Sequence, residues 1–127
     1  MSAFNIINVA TIIEGGASVV PANTARTALG VAPATGHVFE VGSITASNTT
    51  ATAATAVVEL YDGTNYRIIC PTITIPPYAS LIVVDKSQGI SLVDATMDAD
   101  AGAWSAVHVT SGTGSAITYV MAFKDLS

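Results

Sequence analysis

The side chains able to do chemistry are few and far apart. Cys70 is the only cysteine, and the two histidines, His37 and His108, stand in no local signature with it. A nucleophile needs a base within hydrogen-bond reach and usually a third group to orient it. Nothing in the spacing supplies that set, so the chain is not expected to be an enzyme. A buried structural thiol ahead of Pro71 is the simpler reading of Cys70. His108, inside an apolar run, reads as a packed or interface side chain. Asp94, Asp98 and Asp100 are spaced closely enough for a calcium loop, which needs six to eight oxygens. The EF-hand pattern fails at Gly102, however, and no glutamate follows. Solvated loop acids explain them, and no cofactor or metal is expected. Gly112-Thr113-Gly114 precedes a strand pattern rather than a helix, so it reads as a hairpin turn and not a phosphate loop. Tyr61, Tyr66 and Tyr78 could line a sugar-binding face, although Tyr61 and Tyr66 flank one turn and suit a packed hairpin pair.

The elements that would position these residues are strands. Val, Ile and Thr make up 42 of the 127 residues, and β-branched types favour the pleated sheet. Strand signals recur at short spacing from His37 onward: 37–48, 54–61 ending at Asp62-Gly63, 65–70 stopped by Pro71, 80–85, 90–95, 104–110 and 116–124. The prolines at 76 and 77 make a corner. Along 116–124, Ile117, Tyr119, Met121 and Phe123 alternate with Thr118, Val120, Ala122 and Lys124, so the first set should face the core. The run 49–58, rich in Ala and Thr, is either a closely packed strand or a mobile loop. The expected fold is all-β: an antiparallel β-sandwich, jelly-roll or immunoglobulin-like, over residues 36–127. Residues 1–35 lack sustained periodicity. They read as an extended N-terminal arm or as edge strands folded back on the body, with Gly15, Gly16 and Pro21 interrupting any continuous strand.

Charge narrows the function. Charged residues form only 10% of the chain, with nine acids against four bases and a net charge of −5. The bases are scattered, so neither nucleic acid nor an anionic membrane is an expected partner. No apolar window is long enough to span a bilayer, and the first residues lack the basic start of a secretory signal. A surface this poor in ions resists aggregation badly unless other chains cover it.

Within 57–92 the parts Glu59-Leu60-Tyr61-Asp62-Gly63, Tyr66 to Cys70, Ile75-Pro76-Pro77, Ser80 to Asp85 and Ile90 to Leu92 follow one another. This succession resembles small virion proteins of tailed bacteriophages, β-sandwiches that decorate capsids or build neck, tail and fibre parts. The segment 95–104 is longer than that pattern has it, and 1–35 has no counterpart in it. The resemblance implies a capsid decoration (cement) subunit on the virion surface, assembled in the bacterial cytoplasm. It implies major capsid protein or other virion proteins as partners, self-association as a homotrimer, and no catalytic residue. A neck, tail or fibre component is the alternative within that class. A carbohydrate-binding β-sandwich module is the alternative outside it. Phe4, Ile6, Ile7, Val9, Ile12 and Ile13 are too apolar to hang in water, and are expected to pair with a sheet edge of a neighbouring subunit or coat protein.

Overall fold

A computed structural model describes residues 11–94 and 104–127. It contains nine strands: β1 (Ile12–Val19), β2 (Thr27–Ala28), β3 (Val38–Asn48), β4 (Ala54–Tyr61), β5 (Tyr66–Ile75), β6 (Ser80–Val84), β7 (Ser91–Val93), β8 (Ala106–Ser111) and β9 (Ile117–Leu126). They form two antiparallel sheets. One has the order β1-β9-β3-β6, with β7 also on β3, and the other has the order β2-β8-β4-β5. The short helical turn Lys86–Gln88 separates β6 from β7, which pair with successive parts of β3 and act as one interrupted strand. Counted so, first pairs with last, second with second-last, third with third-last, and the middle two with each other. This nesting is a jelly roll, which decides between the two sandwich topologies the sequence left open.

The core lies between the sheets. Ile44, Ala46, Ala56, Val58, Ile75, Val109, Ala116, Ile117 and Tyr119 are among its most buried members. In β9, Ile117, Tyr119 and Met121 face inward as the alternation requires, and Phe123 packs on the core's margin. The Ala-rich run resolves as a closely packed strand from Ala54 on, where Ala54 and Ala56 are both buried. Small side chains at those inward positions let the two sheets approach. The buried Tyr119 hydroxyl shares a hydrogen bond of 2.9 Å with Ser111 Oγ and donates one of 3.2 Å to the Thr110 carbonyl. Burial pushes its pKa up.

Two strands run through residues expected to end them. β1 passes through Gly15 and Gly16 without a register shift. A side chain at Gly15 would start 2.8 Å from the Phe123 ring, so the glycine here allows close approach rather than breaking the strand. β5 passes through Pro71, and its pairing with β4 shifts register on either side of Val58. Proline is tolerated because β5 is an edge strand, where the missing N–H costs no ladder bond.

Of the two readings of residues 1–35, the described part follows the second. β1 is an edge of the first sheet, and β2 an edge of the second. The crossing between them is pinned where Ser115 N donates to the Pro21 carbonyl at 2.7 Å, and just after β2 Leu29 N donates to the Val107 carbonyl at 2.8 Å. Leu29 itself is buried.

Candidate functional site

The sheet edges differ in how well they are guarded. β2 has two residues, β6 has five, and β5 carries Pro71 and two register shifts. All three are the usual devices against strand addition. β1 has eight residues, no lysine, no proline and no bulge, and its only charge is Glu14. Among the described residues nothing pairs with its outer side. Ile12 and Ile13 lie at its start, 63% and 57% exposed, and Val20 just beyond its end is 49% exposed. Two of the six residues expected to make intermolecular contacts are therefore on an open edge. Phe4, Ile6, Ile7 and Val9 lie outside the described residues. Sequence reasoning missed Gly16 and Ser18 on this edge because nothing local marks which backbone groups face outward.

The outer face of the second sheet carries a second cluster. Arg26 holds both carboxylate oxygens of Glu59, from Nε at 2.9 Å and Nη2 at 3.2 Å. Its guanidinium lies 3.6 Å from the centre of the Tyr66 ring. Glu59 is buried, and the hydrogen bonds to it raise the Arg26 pKa. Tyr61 and Tyr66 pack at 4.6 Å between ring centres, and His108 meets both edge-on at 5.5 and 5.1 Å. The hairpin pair expected of the two tyrosines is thus present, and His108 is a packed residue. Tyr78 sits in the turn after β5, at the opposite end of that ten-residue strand from Tyr66. That is about 30 Å away, so the three tyrosines form no common sugar platform.

His108 Nδ1 is buried without a hydrogen-bond partner among the described residues. The groups facing it are Arg26, Glu59, Tyr61 and Tyr66. Burial lowers its pKa below the ordinary 6.5, Arg26 adds to this, and Glu59 opposes it. The unfolded chain therefore binds the proton more readily. The stabilisation is fully present above about pH 6.5 and is lost as the pH falls from there through the folded value. The melting temperature is expected to drop between pH 7.5 and 5, and His108→Phe should flatten that part of the profile. An equally steep profile in the variant would assign the effect elsewhere.

Of the remaining candidates for chemistry, His37 and Asp94 lie near one another at the start of β3, and Cys70 lies on β5 in the other sheet. Cys70 is buried, which pushes its thiol pKa up and away from reactivity. His37 Nδ1 lies 2.8 Å from Asp125 Oδ1. Asp94 is buried and accepts from Gly36 N at 3.1 Å. Asp98 and Asp100 lie outside the described residues. No group of three His, Cys, Asp or Glu side chains able to hold a metal ion occurs among the described residues, nor does a helix long and apolar enough to cross a membrane. A shallow cavity of about 430 Å³ on the first sheet is lined by Gly15, Gly42, Gly89 and Ala122, with Glu14, Glu40, Lys86 and Lys124 around them. Glu14, Lys124 and Glu40 are directly opposed across β1, β9 and β3, which suits mutual neutralisation rather than selection of a charged ligand.

The chain matches no known protein family and no curated protein. Among solved structures, it is similar to a chain from Bacillus endospore appendages, described as a novel family of disulfide-linked pili. The TM-score is 0.52 over 99% of this chain and 95% of that one, at 13% identity. The likeness is one of fold. A disulfide of the kind that description names has no counterpart available here, since the one cysteine is buried in the core.

Proposed function

We propose that the chain is a structural virion protein of a tailed phage, a capsid decoration (cement) subunit that bridges neighbouring coat proteins. The observation that carries this reading is the unguarded β1 edge with Ile12 and Ile13 exposed on it. Natural sheets blunt such edges unless something pairs with them. A surface with few ions points the same way. The jelly roll hosts many functions, so the fold adds only that a subunit of this shape serves in an assembled appendage elsewhere. The phage context comes from the resemblance of 57–92. In this reading the residues from Phe4 to Ile13 supply the apolar strand, the partners are the major capsid protein and further copies of the chain, and the three-fold positions of the shell set a homotrimer. Function then consists of added buried area, with a stable contact requiring about 1,600 Å².

The test is retention. Protein added to purified shells lacking it should sediment with them, reach hundreds of copies per particle and raise the temperature at which they release DNA. About a dozen copies would assign it to the neck instead, and a few to a fibre. No retention on shells or tails would overturn the reading, and sugar-dependent quenching of tyrosine fluorescence would favour the glycan-binding alternative.

A further inference from the structure

The bonds between Thr11 and Ser127, N to O in both directions at 3.0 Å, set the phase of the β1/β9 ladder. In an antiparallel pair, bonded and non-bonded positions alternate. Residues 13, 15, 17 and 19 therefore turn their N–H and C=O groups toward β9. Ile12, Glu14, Gly16 and Ser18 turn theirs away from the body. Four donors and four acceptors thus line one side of a strand about 25 Å long. Backbone groups arrayed in this way are a template for another strand.

We propose that the occupant is β1 of a second copy, antiparallel to the first about a two-fold axis, so that two first sheets become one continuous sheet. The proposal rests on the structural-subunit reading and names the partner of its open edge. A two-fold axis normal to the sheet keeps both cores on the same side, and requires odd residues to oppose odd and even to oppose even. Gly16 opposite Gly16 meets this condition and uses only outward backbone groups. It sets Ile12 against Val20, Ile13 against Val19 and Glu14 against Ser18. The three exposed apolar side chains of the edge each gain an apolar partner. Each Glu14 faces a hydroxyl, and the two carboxylates stand about 13 Å apart along the strands, beyond the screening length of about 8 Å at physiological salt. The neighbouring register, Gly15 opposite Gly15, instead sets Ile12 against Ser18 and Glu14 against Gly16, so Ile12 gains no apolar partner. One strand pair buries less than the roughly 1,200 Å² of a stable interface, so the contact is weak singly and strengthens through repetition. Such two-folds are compatible with trimers, because in a shell neighbouring trimers meet across them.

The experiment measures mass by light scattering or sedimentation from micromolar to near-millimolar concentration. The wild-type mass is expected to double as concentration rises. Ser18→Glu places a carboxylate opposite Glu14 of the partner subunit on both sides of the axis, and should raise the association midpoint about tenfold. The double variant Glu14→Lys with Ser18→Glu makes both oppositions attractive, and should return the midpoint to within about threefold of wild type. Both positions are exposed, so circular dichroism should show the same fold in all three proteins. A wild-type mass independent of concentration would overturn the proposal, as would an unchanged midpoint for Ser18→Glu or a double variant that stays weak. Shell retention is read separately: a chain that doubles in solution yet ignores shells overturns the virion reading and supports this contact.

Discussion

Asn48→Ala is expected to lower the melting temperature by about 10–15 °C. Asn48 ends β3, where the chain leaves the first sheet for the second, and it is almost wholly buried. Its Nδ2 donates to the carbonyls of Thr52 at 2.9 Å and Ile75 at 3.1 Å. Its Oδ1 accepts from Thr50 N at 2.9 Å and Thr50 Oγ at 2.8 Å. Its backbone N–H reaches the Ala79 carbonyl at 2.8 Å. One side chain thus joins the end of β3, the corner after it and the end of β5. Alanine would leave the buried Ile75 carbonyl without its side-chain donor and free the corner, a loss of about 2–4 kcal/mol. For a domain of this size each kcal/mol shifts the melting temperature by about 4 °C. Thermal and urea unfolding followed by circular dichroism give the measurement, and an unchanged urea slope would show that the unfolded state is not what moved. A loss below about 1 kcal/mol would mean the corner is held by the strands alone. Thr50→Ala, which removes one of these contacts, should cost about 1 kcal/mol.

Asn48 also shows where sequence reading stops. In the sequence Asn48 only closes the strand pattern 37–48, and nothing local shows that its amide reaches Ile75, 27 residues on. Arg26 and Glu59 are likewise 33 residues apart and meet only because β2 and β4 both pair with β8. What was legible followed from period and turn chemistry: the inward set of β9 from alternation, the hairpin of β4 and β5 from Asp62-Gly63, and the sandwich class from closely spaced strands. What misled was local propensity. Gly15, Gly16 and Pro71 disfavour strands on their own, but the Phe123 ring needs the glycine and an edge position tolerates the proline. The candidate site divides in the same way. Ile12 and Ile13 stood out as apolar residues with nowhere to go. That the backbone of Ile12, Glu14, Gly16 and Ser18 faces outward follows only from the hydrogen-bond phase, which belongs to the pairing with β9 and not to β1 alone.

The same logic of edge and centre fixes the other large effect. Ile44→Ala should cost about 3–5 kcal/mol, whereas Ile82→Ala, on a neighbouring strand, should cost less than about 0.5 kcal/mol. Ile44 is wholly buried on β3, a strand paired on both sides in the first sheet. It stands opposite Met121 on β9 and Val84 on β6, both of which are themselves buried. The removed atoms lose their contacts. Ladders on both sides also keep the surrounding strands from closing over the gap, so the cavity term adds to the transfer term. Ile82 is 68% exposed on the edge strand β6, opposite Thr45. Truncating it exposes no core and leaves no void. Paired urea titrations of the two variants check the difference. Costs within 1 kcal/mol of each other would mean that the sheets slide to refill the core at Ile44, and that the two-sided pairing of β3 does not make the centre of the first sheet rigid.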